Sequence, residues 1–171
     1  RHPGPPNIHH PCPSPFAIPS RCLYSRNIEN LYFAGRNISV THAALSATRV
    51  MATCALLGQA VGIAAAVAMR YGLTPRGVFE TGKYRAVQAL LMDDDCFLPG
   101  WQRPAAALSR RAALASSCGN PAVLLNGVDR EWQGEVNALE LAAGDWVEFT
   151  WPEPAAIGEV RIVFDSDLGR D

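Results

Sequence analysis

The chain has 171 residues, of which 49% are hydrophobic and 18% charged, and its formal net charge is -1. That balance supplies enough apolar side chains for a core and gives no electrostatic drive toward nucleic acid or an anionic membrane surface. The length allows one or two domains. Cys12, Cys22, Cys54, Cys96 and Cys118 are far apart with no C-x-x-C pair, so they read as mostly reduced thiols.

The opening stretch RHPGPPNIHHPCPSPF is a Pro- and His-rich loop without the charged start and apolar middle of a signal peptide, and it leaves localisation open. His9, His10 and Cys12 are close together, but Pro11 and Pro13 keep them extended and no second ligand cluster has zinc-like spacing, so no metal is assigned. Leu31 to Ala34 is a compact apolar run stopped by Gly35, which predicts a central parallel strand buried on both faces and followed by a tight turn. Ligands of open α/β sheets sit at that end of a strand. Ser46 or Thr48 is the expected N-cap of a long helix. One face of that helix carries Val50, Cys54, Leu57, Val61, Ala64 and Ala68, and a second carries only Ala55, Gly58, Gly62 and Ala65. Both faces are expected to be buried. Val50 to Met69 is long enough to span a bilayer, but it owes its apolarity largely to Ala and Gly, lacks an aromatic belt and has Gln59 at its middle, so no membrane span is expected.

Tyr71-Gly72 is expected to stop the helix, Thr74-Pro75 to start a short one, and Tyr84 to Met92 to form another with Val87, Leu90 and Leu91 on one side. DDDCFLPGWQRP breaks the periodicity and marks a linker over 98–112 between segments 1–97 and 113–171. Asp93 to Asp95 read as a solvated helix end, with cation binding as the alternative. Beyond the linker, LASSCGN, LLNG, NALELAAGDWVEFTW and AIGEVRIVFDSDL show period-two apolar positions between Gly, Asn and Asp turns, which predicts a β-sandwich. Trp132, Trp146 and Trp151 serve such a sandwich either as core or as sugar-stacking rings, and Asn126 and Asp129 form either a turn or an oxygen cluster for calcium.

The stretch IPSRCLYSRNIENLYFAGRNISVTHAALSATRVMATCALLGQAVGIAAA resembles the carboxyl-terminal signature of the bacterial FAD-dependent oxidoreductase family: I-P-Y-R-x-L, then N-L-x-x-A-G-R-x-I-S-x-T-H, then R-V-M-x-T-C-x-x-x-G-Q-A-x-G. The resemblance runs from Ile18 to Ala68 and more loosely to Gly100, with Ser20 standing where the family has an aromatic Tyr. It implies FAD as cofactor and a small-molecule substrate, carbohydrate-related chemistry being one option. It also implies a flavin contact by Gly35, Arg36, Asn37 and Ser39, with Arg36 and Asn37 on the ribityl or phosphate part. First-turn amides over Thr48, Arg49, Val50, Met51 and Ala52 would face the negative locus of the reduced flavin. Arg49 would add positive charge there or clamp a substrate carboxylate or hydroxyl. Histidine is the one side-chain type in this run that can exchange protons near neutral pH, which makes His42 the candidate acid or base beside the flavin. Residues Ala115 to Leu168 are similar to the opening strands of galactose-binding-like, discoidin-type jelly rolls.

The expected fold class is therefore an α/β flavin-binding, Rossmann-like fragment followed by a truncated all-β jelly-roll sandwich. No G-x-G-x-x-G with a following acidic residue is present, so an amino-terminal flavin half is expected to be missing and the isolated chain to self-associate. The competing class is a non-catalytic carbohydrate-binding or structural module.

Overall fold

The computed structural model describes residues 15–131 and 134–164. Elements follow in the order α1 (His42–Thr48), α2 (Met51–Tyr71), α3 (Pro75–Glu80), α4 (Tyr84–Asp93), α5 (Ala107–Arg110), β1 (Ala113–Ser116) and β2 (Val147–Thr150), with single 3-10 turns at Ser20–Cys22, Gly35–Asn37 and Pro121–Leu125.

The core is helical. Val67 and Ala68 of α2 meet Val78 of α3, Val87 and Leu91 of α4 and Cys96, with Ala60, Ile63, Ala64, Leu73 and Leu98 packed around them. On α2 and α4 these residues recur at three- and four-residue spacings, so the two helices can close over one another. Helix ends follow local chemistry. Gly72, at φ +62°, donates its N–H to the carbonyls of Ala68 and Met69 and ends α2; the Thr74 hydroxyl accepts from the Gly77 N–H at 3.1 Å and starts α3 with Pro75 in its first turn. α4 ends in a left-handed Asp95 (φ 61°), with the Cys96 N–H returning to the Leu91 carbonyl at 2.8 Å. Asp tolerates that conformation better than most residues. Burial, and secondarily the Asp95 charge, pushes the Cys96 thiol pKa up.

Several expectations are corrected. Leu31 to Ala34 is not a buried parallel strand: Tyr32 makes an antiparallel bridge to Tyr24, and Phe33 and Ser25 donate to the carbonyls of Leu23 and Leu31 at 2.8 and 2.9 Å. A bend at residues 26–30 brings the chain back on itself, so a local partner takes the hydrogen bonds a sheet would have supplied. The helix expected to begin at Ser46 or Thr48 is two helices. Thr41 caps α1, and the Thr48 hydroxyl donates back to the carbonyls of Ala44 and Leu45, at 3.2 and 3.4 Å, ending that helix from within. Val50 (ψ 149°) then starts α2 without a side-chain cap. The small-residue face of α2 is not buried within the described residues: a Cβ added at Gly58 or Gly62 would meet nothing within 4 Å. Leu90 is exposed, although Val87 and Leu91 are buried as expected.

In the second segment, β1 and β2 pair antiparallel with Ala113 opposite Thr150 and Ser116 opposite Val147. They are the two strands among the described residues, so the jelly-roll sandwich expected over 113–171 is not formed by them. LLNG lies in and after the 3-10 turn Pro121–Leu125, because Asn120 and Pro121 favour a capped turn. Trp151 Nε1 donates to the Leu108 carbonyl at 3.0 Å, Trp146 is half-exposed, and Trp132 lies outside the described residues, as do His9, His10 and Cys12. Cys22, Cys54, Cys96 and Cys118 are free thiols. By length and composition α2 is apolar enough to cross a membrane.

Candidate functional site

Three consecutive pieces of chain come together around Gly35. The turn Gly35–Asn37 packs on α1 and on the amino-terminal end of α2. Gly35 sits at φ +80°, and a Cβ there would lie 4.0 Å from Cys54 Sγ. The positive φ, and not a lack of room, is what favours glycine there. The Ser39 N–H donates to the Cys22 carbonyl at 2.9 Å, which ties the far end of the turn to the folded-back strand pair. Buried Ile38 anchors it, and Arg36, Asn37 and Ser39 project outward as exposed residues.

The helix break decides which amides are available. Arg49 N–H is bonded to the Leu45 carbonyl at 3.1 Å as the close of α1, and the first intrahelical donor of α2 is Cys54 N–H to the Val50 carbonyl at 2.9 Å. Met51, Ala52 and Thr53 therefore carry the first-turn N–H groups left without an intrahelical partner. Met51 and Ala52 were expected in this role from the sequence, and Thr53 was not. Thr48, by contrast, is buried at 5% exposure with its hydroxyl turned into α1. The shift could have been found from Thr41, whose hydroxyl accepts from the Ala44 N–H at 3.4 Å, a cap signal seven residues ahead of Thr48. Cys54 Sγ points back to the Thr48 carbonyl at 3.6 Å, bridging the break.

His42 is the first residue of α1 and Arg49 its last flank, so the two stand at opposite ends of a seven-residue helix, both exposed. Arg49 and Arg36 take part in no ion pair among the described residues. The structure thus gathers Gly35, Arg36 and the α2 amides at one end, and sets His42 at the other end of α1 from Arg49. Sequence reading missed Tyr32. Its hydroxyl is buried without a hydrogen-bond partner among the described residues, and burial raises its pKa. The oxygen pair read from Asn126 and Asp129 is already engaged: Asp129 accepts from Arg103 Nη2 at 2.7 Å, and the Asn126 side chain bonds the Val136 carbonyl and the Val128 N–H at 2.8 and 2.9 Å.

The model of the FAD dependent oxidoreductase family matches residues 2–91. The chain belongs to this family. The match takes in the Gly35 turn, the α1–α2 break and the helical core, and FAD is the cofactor the family implies. No curated protein and no solved structure matches the chain. The residues present fit an anionic cofactor group: first-turn amides at a helix start, a positive-φ glycine turn beside it, and two arginines without carboxylate partners among the described residues supply donors and positive charge. These residues lie within the matched stretch.

Proposed function

We propose that residues 35–53 form the flavin-facing edge of an FAD-dependent oxidoreductase acting on a small-molecule substrate. The observation that carries this reading is the coincidence of the family match with an open cluster of donors at the start of α2. FAD, when bound, supplies two-electron transfer. The N–H groups of Met51, Ala52 and Thr53, at the positive end of a 21-residue helix, hold negative charge on the ring system. Gly35 gives the turn its left-handed backbone, Arg36 and Asn37 would hold the ribityl or phosphate part, and Ser39 would make a further contact to the cofactor. Arg49 adds charge beside the ring or clamps a substrate carboxylate or hydroxyl, and His42 takes or gives a proton at its imidazole nitrogen. We read the exposed Gly58 and Gly62 face of α2 as a packing surface for protein, with Gln59 Nε2 held on the Asp94 carbonyl at 3.3 Å. The antiparallel β1–β2 pair supports reading residues 113–171 as an accessory β module, the galactose-binding-like sandwich being its finer form.

The test is made in the flavin-loaded enzyme. Arg49→Ala should lower kcat/KM by the factor belonging to one charged hydrogen bond, about 1.5–3 kcal/mol, with little change in melting temperature. Unchanged kinetics with a lowered melting temperature would overturn the role. The 171-residue chain alone, which has no G-x-G-x-x-G, should lose FAD on desalting, and stoichiometric retention of the visible flavin absorbance would show a complete site within it.

A further inference from the structure

The end of α4 carries Asp93, Asp94 and Asp95 in a row, at the pole of a helix where negative charge is unfavourable unless countered. Arginines from the later segment counter it. Arg103 is bonded to Asp93, to the Met92 carbonyl and to Asp129, and its side chain is only 20% exposed. Arg161 is bonded to the same Asp93 oxygen, and Arg130 Nη2 lies 3.6 Å from Asp95. The two arms on Asp93 differ in what else holds them. Besides Asp93, Arg161 reaches Glu159 at 3.7 Å, a residue 76% exposed, and is itself 48% exposed.

The segment around Arg161 has little other attachment. Among the described residues, no backbone–backbone hydrogen bond involves 156–164. Its large side chains are not buried either: Val160, Ile162 and Phe164 are 73%, 65% and 81% exposed. Yet Ile162 to Phe164 form one wall of a cleft of about 380 Å³ whose other wall is Met92, Asp93 and Asp95. Apolar burial does not account for that position, and the Arg161–Asp93 pair does.

We propose that Asp93 anchors an ionic clasp with a fixed arm, Arg103, and a releasable arm, Arg161, so that residues 156–164 act as a salt-sensitive strap over the cleft at the end of α4. Released, the strap frees the cleft and leaves α4 and the 103–129 crossing in place, because Arg103 keeps Asp129 and the Met92 carbonyl. Screening separates the arms: at about 0.5 M salt, interactions between exposed charges fall away within a few ångströms, while a largely buried pair is screened much less.

Glu159 provides the readout. A glutamate-specific protease is added to the folded chain, and cleavage after Glu159 is followed by mass spectrometry and normalised to cleavage after Glu29, which is outside the network. At low salt, Asp93→Asn and Arg161→Gln should each speed the Glu159 cut by about two- to fivefold, the range open to a largely exposed ion pair, and Arg161→Lys should restore most of the protection. High salt should move the wild-type rate toward that of the variants. Equal rates for all chains at both salts would overturn the strap. So would acceleration by Arg161→Gln alone with none by Asp93→Asn, which marks a local effect on protease recognition. Should Asp93→Asn fail to fold, the Arg161→Gln and Arg161→Lys pair decides, since equal protection in both removes the charge from the account.

Discussion

Residues 42–98 and residues 113–164 are held by different means. The first bury Leu57, Val67, Val78, Val87, Leu91 and Met92 to below a tenth exposure, whereas in the second Val128 alone reaches that level among the described residues. The second segment is tied by polar contacts: Ser117 Oγ donates to Asp145 at 2.8 Å and accepts from the Trp146 N–H, Asn126 reaches Val136, and Arg103 spans to Asp129. Apolar burial is roughly additive in area and survives small shifts, but a polar tie depends on the geometry of each donor. The helical part therefore folds around a shared interior, and the later part is positioned by a few bonds to it.

The comparison can be broken by truncating each kind of support. Leu91→Ala should cost about 2–5 kcal/mol by removing packing at the centre of the helical core, read as a lower midpoint in urea unfolding. Leu114→Ala, on the half-buried β1, should cost clearly less; equal losses would mean that the later segment has a core of its own. Gly127→Ala comes next. A Cβ there would fall 2.0 Å from the Arg103 carbonyl oxygen at φ +77°, across the 2.8 Å bond from Arg103 N–H to the Gly127 carbonyl. We expect a loss of about 1–3 kcal/mol with faster hydrogen exchange near Asp129, and wild-type exchange would remove this crossing from the account.

Smaller effects sharpen the contrast. Gly62→Ala should stabilise the isolated chain by about 0.5–1 kcal/mol, because alanine is the better helix former and nothing in the described residues fills the space. In the flavin-loaded enzyme the same change should be neutral or harmful if that face is covered, so a gain in both settings would argue against a packing surface. The smallest effect is acid sensitivity. The Ala142 N–H and the Ser117 hydroxyl bond the Asp145 carboxylate and lower its pKa. A carboxylate with a depressed folded pKa adds stability above its unfolded value, about 3.9, and that stability is lost as pH falls through the lower folded value. Asp145→Asn should flatten the acid limb of Tm against pH slightly; an unaltered limb would place the acid response elsewhere.

Much of the helical half is legible residue by residue. Thr74-Pro75 and Tyr71-Gly72 punctuate the chain through caps and turn chemistry, which act over three or four residues, and Val87 and Leu91 follow helical period. The family was legible from the N-L-x-x-A-G-R and R-V-M-x-T-C runs. The β-sandwich expected there is not formed by the two strands among the described residues, because period-two apolar spacing marks a segment able to pair and says nothing of whether a partner strand lies beside it.

The sequence by itself determined the helix stops, the family and hence FAD, since each depends on side-chain chemistry at fixed short spacing, whereas the face of α2 that packs into the helical core runs through Ala60, Ile63, Ala64, Val67 and Ala68 and shares only Ala64 and Ala68 with the expected one. Tertiary structure decided the rest. The break at Arg49 and Val50 is itself local, Thr41 capping α1 and the Thr48 hydroxyl closing it from within, but only tertiary packing sets the Gly35 turn against α1 and the start of α2, beside the amides of Met51, Ala52 and Thr53. The fates of Asp93 and Asp129 were set by Arg103, 10 and 26 positions away along the chain, whose guanidinium meets both because the core brings the end of α4 beside the 103–129 crossing. Contacts between groups so far apart in sequence have no periodic signature, because chain folding and not local conformation brings them within bonding distance.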